Sequence, residues 1–324
     1  MLSEPAATQA ANKIAAVVAN VETVIQGKHD AVELVVLSLI ARGHVLLEDL
    51  PGTGKTTLAS TLAKSIDCGF KRIQFTPDVM PSDVTGFSVY NQQTCAFEFR
   101  PGGVMSNLLL ADEINRASAK TQSALLEAME ERQVTVDAQT FKLDEPFMVL
   151  ATQNPIEQYG TFPLPEAQLD RFLIKLSMGY ADFTDELRML ELGDSAKRAI
   201  GPVATIDDVN GLRKAADQVE ISKDVFRYIL EIVTATRSRT DIRIGSSPRG
   251  GIALVSLSRA WALARGRAYV LPEDVKRLAP YTLSHRIALT REAKSQGRIS
   301  SEVIESILSS IAVPIGDDVL IRKR

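Results

Sequence analysis

The sequence has few cysteines, no long apolar run and no strong excess of charge of either sign. Its two cysteines, Cys68 and Cys95, lack the spacing of metal ligands, so we expect reduced thiols, with a disulfide as the lesser alternative. The apolar stretch AVELVVLSLIA is too short to span a bilayer and contains Glu33. No secretory signal pattern begins the chain. We therefore expect a cytoplasmic protein.

The net charge of −3 is unevenly distributed. Residues 1–179 contain 14 Lys and Arg against 21 Asp and Glu, a net charge of −7, and residues 180–324 contain 23 against 19, a net charge of +4. A duplex-binding surface usually needs a larger basic excess, so no nucleic acid is expected as a partner. The opposite net charges of the two parts have two interpretations. They allow one part of a subunit to dock on the other part of its neighbour, or they are a chance imbalance on solvated faces.

Five short apolar runs in the first half predict buried parallel strands, at 44–48, 71–75, 107–111, 147–151 and 172–177. Helical patterns lie between most of them, which predicts a doubly wound α/β sheet with ligands at the carboxyl ends of its strands. We expect a helix and linker over 1–30, this α/β core over 31–179 and a smaller helical domain over 180–324, where strand signals stop. No internal repeat is present.

Two segments interrupt the alternation of strands and helices. Residues 78–104 form a long insert rich in Pro, Gly, Ser and Asn, which we expect to be irregular. Residues 132–143 predict a hairpin of Val134–Val136 and Phe141–Leu143. Long loops in a compact domain are more often functional than idle.

The stretch DLPGTGKTT follows the first strand and opens a helix, which is the context of a phosphate-binding loop. Gly52 and Gly54 allow backbone N–H groups to approach phosphate oxygens, Lys55 reaches the β and γ phosphates, and the Thr56 hydroxyl can ligate Mg²⁺. Asp49 stands where the usual pattern begins with glycine. If its side chain points to solvent, its charge is screened and the missing glycine costs little. The competing interpretation is a glycine-rich turn without a ligand.

Acidic and amide side chains follow two predicted strands. In NLLLADEINRA, Asp112 is placed to hold Mg²⁺ and Glu113 to polarise the attacking water, although an Asp-Glu pair before a helix is often only a solvated cap. Asn154 in ATQNP is placed to position that water or a phosphate oxygen, although Asn-Pro is commonly a turn.

Two arginines complete the candidate set. Arg171 follows a short predicted helix, where a cation is also favoured structurally. Arg249 lies in the first turn of a helix after Pro248, the unfavourable end for a cation, so an anion such as phosphate is expected to stabilise it.

Together these residues resemble the MoxR family of AAA+ ATPases. The resemblance covers nearly the whole chain, through VIQGKHDAVE, GHVLLEDLPGTGKTTLA, RIQFTPDVMPSDVTG, FRPGGV, LLLADEINRASAKTQSALLEAMEERQVT, ATQNPIEQYGTFPLPEAQLDRF and SPRG. It implies a P-loop core with a five-stranded parallel sheet of order 5-1-4-3-2 and a helical lid. It also implies that 78–104 is the helix-2 insert and 132–143 the hairpin before sensor 1.

The resemblance implies a role for each candidate residue. Asp112 and Glu113 match Walker B, Asn154 matches sensor 1, Arg171 the arginine finger and Arg249 sensor 2. The adenine neighbours are expected at Val24 and Ile25, and the Walker A cradle at Pro51, Gly52, Thr53, Gly54, Lys55, Thr56 and Thr57.

Members of the family use ATP and Mg²⁺, form hexameric rings, remodel partner proteins as chaperones do and often work with proteins that carry von Willebrand factor A domains. The resemblance therefore implies an ATPase whose neighbour supplies Arg171 to the γ-phosphate. Two alternatives are a nucleic-acid-stimulated, helicase-like motor and a nucleotide-gated scaffold with little turnover. A GTPase is not expected, because the sequence has no N-K-x-D motif.

Overall fold

The computed structural model describes residues 2–50, 52–155, 160–180, 183–192 and 200–314. Its strands are β1 (Val45–Glu48), β2 (Phe70–Gln74), β3 (Gly86–Asn91), β4 (Ala96–Pro101), β5 (Leu108–Asp112), β6 (Gln133–Val136), β7 (Gln139–Lys142), β8 (Met148–Gln153), β9 (Ile174–Leu176), β10 (Ile242–Ile244) and β11 (Ala288–Leu289). Its α-helices are α1 (Glu4–Glu22), α2 (His29–Ile40), α3 (Lys55–Ser65), α4 (Pro81–Thr85), α5 (Ala119–Glu131), α6 (Glu166–Leu169), α7 (Phe183–Leu192), α8 (Ile206–Asp217), α9 (Lys223–Ser238), α10 (Pro248–Ala264), α11 (Pro272–Leu283), α12 (Arg291–Ser295) and α13 (Ser300–Ser310).

A five-stranded parallel sheet forms the centre of the α/β part, in the order β2-β5-β8-β1-β9. Counted along the chain, this is the order 5-1-4-3-2, so the predicted fold class and sheet order are confirmed. Every residue of β5 is buried, and only the last residue of β8 is partly exposed. A parallel strand covered on both faces needs such a continuous apolar run, which explains why the sequence revealed these strands.

Alternate residues of the central strands β1, β5 and β8 enter two different apolar clusters. Leu108 and Leu110 pack with α1, α2 and α3, whereas Leu109 and Ala111 pack with α5. The first cluster continues without a break into the helices after residue 200. The division at 1–30, 31–179 and 180–324 stays a prediction.

The expectation that 78–104 is irregular is wrong. The segment contains α4 and an antiparallel hairpin in which β3 and β4 pair from Gly86 opposite Pro101 to Asn91 opposite Ala96. The turn-forming residues obscured the strand alternation. Phe99 of this hairpin stacks on Phe141 of the predicted β6–β7 hairpin, with ring centroids 4.0 Å apart.

The carboxyl-terminal part is helical, as predicted, with one exception. β10 and β11 form a small antiparallel pair with Ile242 opposite Leu289. Strands of two or three residues leave no periodic signal, so the sequence did not reveal them. Over the described parts of the chain, the helices are all too short or too polar to cross a membrane.

The start of β9 is held by a buried guanidinium. Arg286, only 7% exposed, donates from Nε to Asp170 Oδ1 at 2.8 Å and from its Nη groups to the carbonyl oxygens of Phe172 and Leu173 at 2.6 and 3.0 Å. Burial lowers the pKa of Arg286 to about 10, against the opposing effect of Asp170. The helical part is thereby bonded to the chain just before β9.

The end of β9 is held by Asp49, whose side chain does not point to solvent. It is 5% exposed and accepts hydrogen bonds from Ser177 Oγ at 2.6 Å, Met178 N at 2.5 Å and Gly179 N at 3.0 Å. The solvent-facing orientation considered from the sequence is therefore wrong. The residue that departs from the glycine pattern joins β1 to the segment after β9.

Replacing Asp49 should destabilise the protein, because it leaves three donors without their charged acceptor. We expect Asp49→Ala to lower the free energy of unfolding by about 2 kcal/mol or more, with Asp49→Asn intermediate. Urea unfolding measures this, with the exposed Asp144→Ala as control. Equal stability of Asp49→Ala and Asp144→Ala would contradict the role of Asp49.

Candidate nucleotide-binding site

The turn between β1 and α3 has the backbone that a phosphate cradle requires. Gly52 and Gly54 have φ angles of 85° and 89°, a left-handed region that glycine adopts without strain. Gly54 is the N-cap residue of α3, so the first N–H groups of that helix face the cradle without partners in the helix itself. Pro51 lies outside the described residues.

Lys55, the first residue of α3, lines the same cavity as the cradle glycines. Its Nζ donates to the carbonyl oxygens of Asp49 at 3.1 Å and Leu50 at 2.7 Å. Burial lowers the pKa of Lys55, while the carboxylates of Asp49, Asp112 and Glu113 act to raise it. The ammonium group is therefore close to both acidic residues of the predicted Walker B pair.

A single hydroxyl group holds that acidic pair. Thr152 Oγ1 of β8 donates to Asp112 Oδ1 at 2.6 Å and accepts from the backbone N–H of Glu113 at 2.8 Å. Glu113 has a left-handed backbone (φ 56°), which is costly outside glycine and turns the chain out of β5. Its carboxylate accepts from Arg116 Nη1 at 3.0 Å.

The outer strand β2 adds a cation to the site. Arg72 donates to Asp112 Oδ2 from Nε at 3.2 Å and from Nη2 at 2.6 Å, and also to Gln74. Because β2 pairs with β5 and places Gln74 opposite Asp112, both polar side chains of β2 reach the same end of the sheet.

These groups line one cavity of about 360 Å³ at the carboxyl ends of the strands. Asn154, which is buried, lies in its wall just beyond β8. The lining residues are Asp49, Gly52, Thr53, Gly54, Lys55, Thr56, Thr57, Arg72, Gln74, Asp112, Glu113, Thr152, Gln153 and Asn154.

The predicted adenine neighbours lie before α2. Ile25 is buried, and its Cδ1 is 3.9 Å from the position that a Cβ would take on Gly54. Val24 is partly buried beside it. Ile25 thus lies beside the cradle, while a contact of either residue with adenine stays a prediction.

The donor set of this cavity fits Mg²⁺ bound together with phosphate. Thr56 offers a hydroxyl oxygen and Asp112 a carboxylate, the hard ligands that Mg²⁺ prefers. Among the described residues no cluster of three or more His, Cys, Asp or Glu could enclose a metal. Bound together with a nucleotide, Mg²⁺ commonly takes only one or two protein ligands and completes its shell with phosphate oxygens and water.

Arg171 and Arg249 are not among the residues that line this cavity. Both contact Glu130 of α5, at 2.9 Å from Arg171 Nη1 and 2.5 Å from Arg249 Nη2. They line a second cavity of about 220 Å³, next to Arg42, Arg132 and Arg286. Within the chain, the anion beside Arg249 is therefore a carboxylate, and the two arginines lie together at a separate place.

Among the residues of these two sites that sequence reasoning missed are Arg72, Gln74, Thr152 and Glu130. Arg72 and Gln74 alternate along KRIQF, and Thr152 precedes Asn154 in LATQN, so polar residues at strand ends carried a signal. Glu130 lies at the carbonyl end of a helix, where an acid is disfavoured and a partner should be sought.

Known proteins with similar sequences and structures agree with this geometry. Residues 44–174 match the ATPase family associated with various cellular activities (AAA), and residues 234–307 match the AAA lid domain. The chain is 51% identical over 300 residues to the uncharacterized protein YeaC of Bacillus subtilis (strain 168), covering 92% of this chain and 94% of the relative.

Two further proteins resemble the chain over nearly its whole length. Chaperone MoxR1 of Mycobacterium tuberculosis is 40% identical over 304 residues, covering 91% of this chain and 80% of the relative. The crystal structure of a candidate ATPase from Cytophaga hutchinsonii superposes with a TM-score of 0.88 at 41% identity, covering 95% of this chain and 97% of that one. The chain therefore belongs to the MoxR family of AAA+ ATPases.

Proposed function

We propose that the protein binds ATP with Mg²⁺ and hydrolyses the γ-phosphate. The observation that carries this proposal is one cavity that brings together the cradle, Lys55, Asp112, Glu113 and Asn154. A glycine-rich turn without a ligand gives no reason for carboxylates and an amide from two other strands to meet at the same point.

Each residue has a distinct task in the proposed reaction. Lys55 and the N–H groups of α3 hold the β and γ phosphates, and Thr56 and Asp112 hold Mg²⁺, which neutralises charge on the phosphoryl group when bound. Glu113 accepts a proton from the attacking water, and Arg116 orients its carboxylate. Asn154 positions the water or a γ-phosphate oxygen.

Removing the general base should separate binding from turnover. We expect Glu113→Gln to lower the hydrolysis rate about 10²–10⁴-fold while the dissociation constant for ATP stays close to that of the wild type. Phosphate release and equilibrium binding measure the two effects, and Glu305→Gln, exposed on α13, is the control. Normal hydrolysis by Glu113→Gln would remove the base assignment.

We propose further that the active form is a closed ring, with six subunits as the family resemblance implies. Arg171 and Arg249 lie outside the cavity of their own chain, and this supports their action on the nucleotide of a neighbouring subunit. Arginines supplied in this way contribute about 10³–10⁵ to the rate of phosphoryl transfer. Because such an interface is head-to-tail, every subunit both receives and donates arginines.

Mixing two inactive variants tests whether the arginine acts across subunits. Arg171→Ala keeps its own cradle but donates no finger, and Lys55→Ala donates a finger but binds ATP weakly. We expect each alone to be nearly inactive and an equal mixture to recover up to roughly a quarter of wild-type turnover, since random assembly pairs an intact cavity with an intact finger at that fraction of interfaces.

Mass measurement with and without ATP and Mg²⁺ accompanies the turnover assay and reports whether a ring forms. Full activity of Arg171→Ala alone, or a ring that forms in the mixture without any recovery of turnover, would contradict the trans arrangement.

We propose that hydrolysis remodels a partner protein. The relative named chaperone MoxR1 supports this, as does the β3–β4 hairpin, which stacks on β6–β7 and exposes Tyr90 and Phe97, the latter to 73%. The resemblance favours a partner with a von Willebrand factor A domain. Hydrolysis moves the helical part and the two hairpins, which the stacking of Phe99 on Phe141 joins to each other.

Variants locked in different nucleotide states should retain different proteins. With ATP and Mg²⁺ present, we expect Glu113→Gln to co-purify a von Willebrand factor A protein or another client that Lys55→Ala does not retain. Mass spectrometry identifies the proteins retained by each variant. If both variants retain the same set, nucleotide-dependent binding of a client is ruled out.

A further inference from the structure

The guanidinium groups of Arg171 and Arg249 both contact the carboxylate of Glu130, a residue without a role in the proposed reaction. Arg171 Nη1 is 2.9 Å from Glu130 Oε2, and Arg249 Nη2 is 2.5 Å from Glu130 Oε1. Each oxygen of Glu130 thus serves a different arginine. One arginine comes from the α/β part and the other from the helical part, so Glu130 bonds both parts at this surface.

The backbones that carry the two arginines are fixed independently of Glu130. Asp170 precedes Arg171 and accepts a hydrogen bond from Ser247 Oγ at 2.7 Å, and Ser247 caps the helix on which Arg249 lies. Asp170 also accepts from the buried Arg286 at 2.8 Å. Asp170 therefore joins the two backbone segments that carry the arginines, and Glu130 joins their guanidinium groups. A change at Glu130 alters the placement of the guanidinium groups alone.

Glu130 lies in the last turn of α5, where the helix dipole disfavours a negative charge. Glu127 and Glu131 lie in the same stretch and add repulsion. Local helix energetics therefore do not explain a glutamate at this position. The contacts that stabilise it are the two guanidinium groups.

The two arginines keep hydrogen-bonding capacity for another anion. Within the described residues, Arg171 uses Nη1 for its ion pair with Glu130 and its hydrogen bond to Leu126 O (2.7 Å), and Arg249 uses Nη2. Arg171 Nε is buried. A guanidinium has five N–H donors in a planar fork, so Nη2 of Arg171 and Nε and Nη1 of Arg249 remain for phosphate oxygens. Without a carboxylate between them, two adjacent guanidinium groups would repel each other and separate.

We infer that Glu130 is a positioning residue, which pairs Arg171 and Arg249 so that both guanidinium groups approach the triphosphate of a neighbouring subunit together. This role rests on the proposed ATPase function. Glu130 does not touch the phosphate; it acts through the two arginines. Its loss leaves ATP binding in its own cavity intact and lowers the rate at the neighbour's cavity.

The test compares Glu130→Gln with Glu127→Gln, one turn earlier on the same helix. In assembled protein we expect Glu130→Gln to lower kcat about tenfold, well short of the arginine-finger loss, with KM for ATP unchanged. Glu127→Gln should match the wild type. Adding Glu130→Gln to a variant that carries both Arg171→Ala and Arg249→Ala should cause no further loss, because both arginines through which Glu130 acts are already gone.

Mixing separates positioning from a folding defect. Because Lys55→Ala subunits carry an intact Glu130 with both arginines, adding them should raise the turnover of each Glu130→Gln subunit several-fold. No recovery on mixing, or equal kcat of Glu130→Gln, Glu127→Gln and wild type, would overturn the role of Glu130 alone. A wild type that assembles yet hydrolyses no ATP would overturn the proposed function, and the role of Glu130 with it.

Discussion

The parallel pairing of β1, β5 and β8 is the constraint on which the site depends. Parallel neighbours end at the same edge, so the cradle after β1, the acids after β5 and the amide after β8 converge although about a hundred residues separate them in the chain. The hydroxyl of Thr152 on β8 links the two strand ends directly, because it bonds the carboxylate of Asp112 and the backbone N–H of Glu113 at the end of β5. A shift of register between β5 and β8 would separate the three groups.

Charge is divided between two places on the chain. The cavity contains Lys55 and Arg72 beside three carboxylates, whereas Arg171 and Arg249 lie apart from it, on Glu130. In the ring proposed above, a second copy brings its arginines to the triphosphate, beside Lys55, Arg72 and Mg²⁺. That proposal links self-association to the chemistry.

The sequence revealed those parts of the molecule that rest on local pattern. The central strands are apolar runs between turn residues, and the cradle is a short motif with its strand and helix in order. The β3–β4 hairpin was not predicted, because turn-forming residues hide its strand alternation. The β10–β11 pair was not predicted, because its strands are too short to show a period. The contacts of Asp49 and Glu130 were not predicted, because the partners of Asp49 lie about 130 residues further along the chain and those of Glu130 about 40 and 120 residues further. Such bonds follow from tertiary structure alone.

The outer strands of the sheet have a consequence for how copies of the chain can meet. β2 carries Lys71 and Arg72, and the three-residue β9 carries Lys175, which also pairs with Glu48 at 2.5 Å. Short edge strands that carry lysine and arginine disfavour hydrogen bonding between the edges of two sheets, because such pairing would place like charges opposite each other. In the proposed ring, copies of this chain would therefore meet through side chains and not through a continuous sheet.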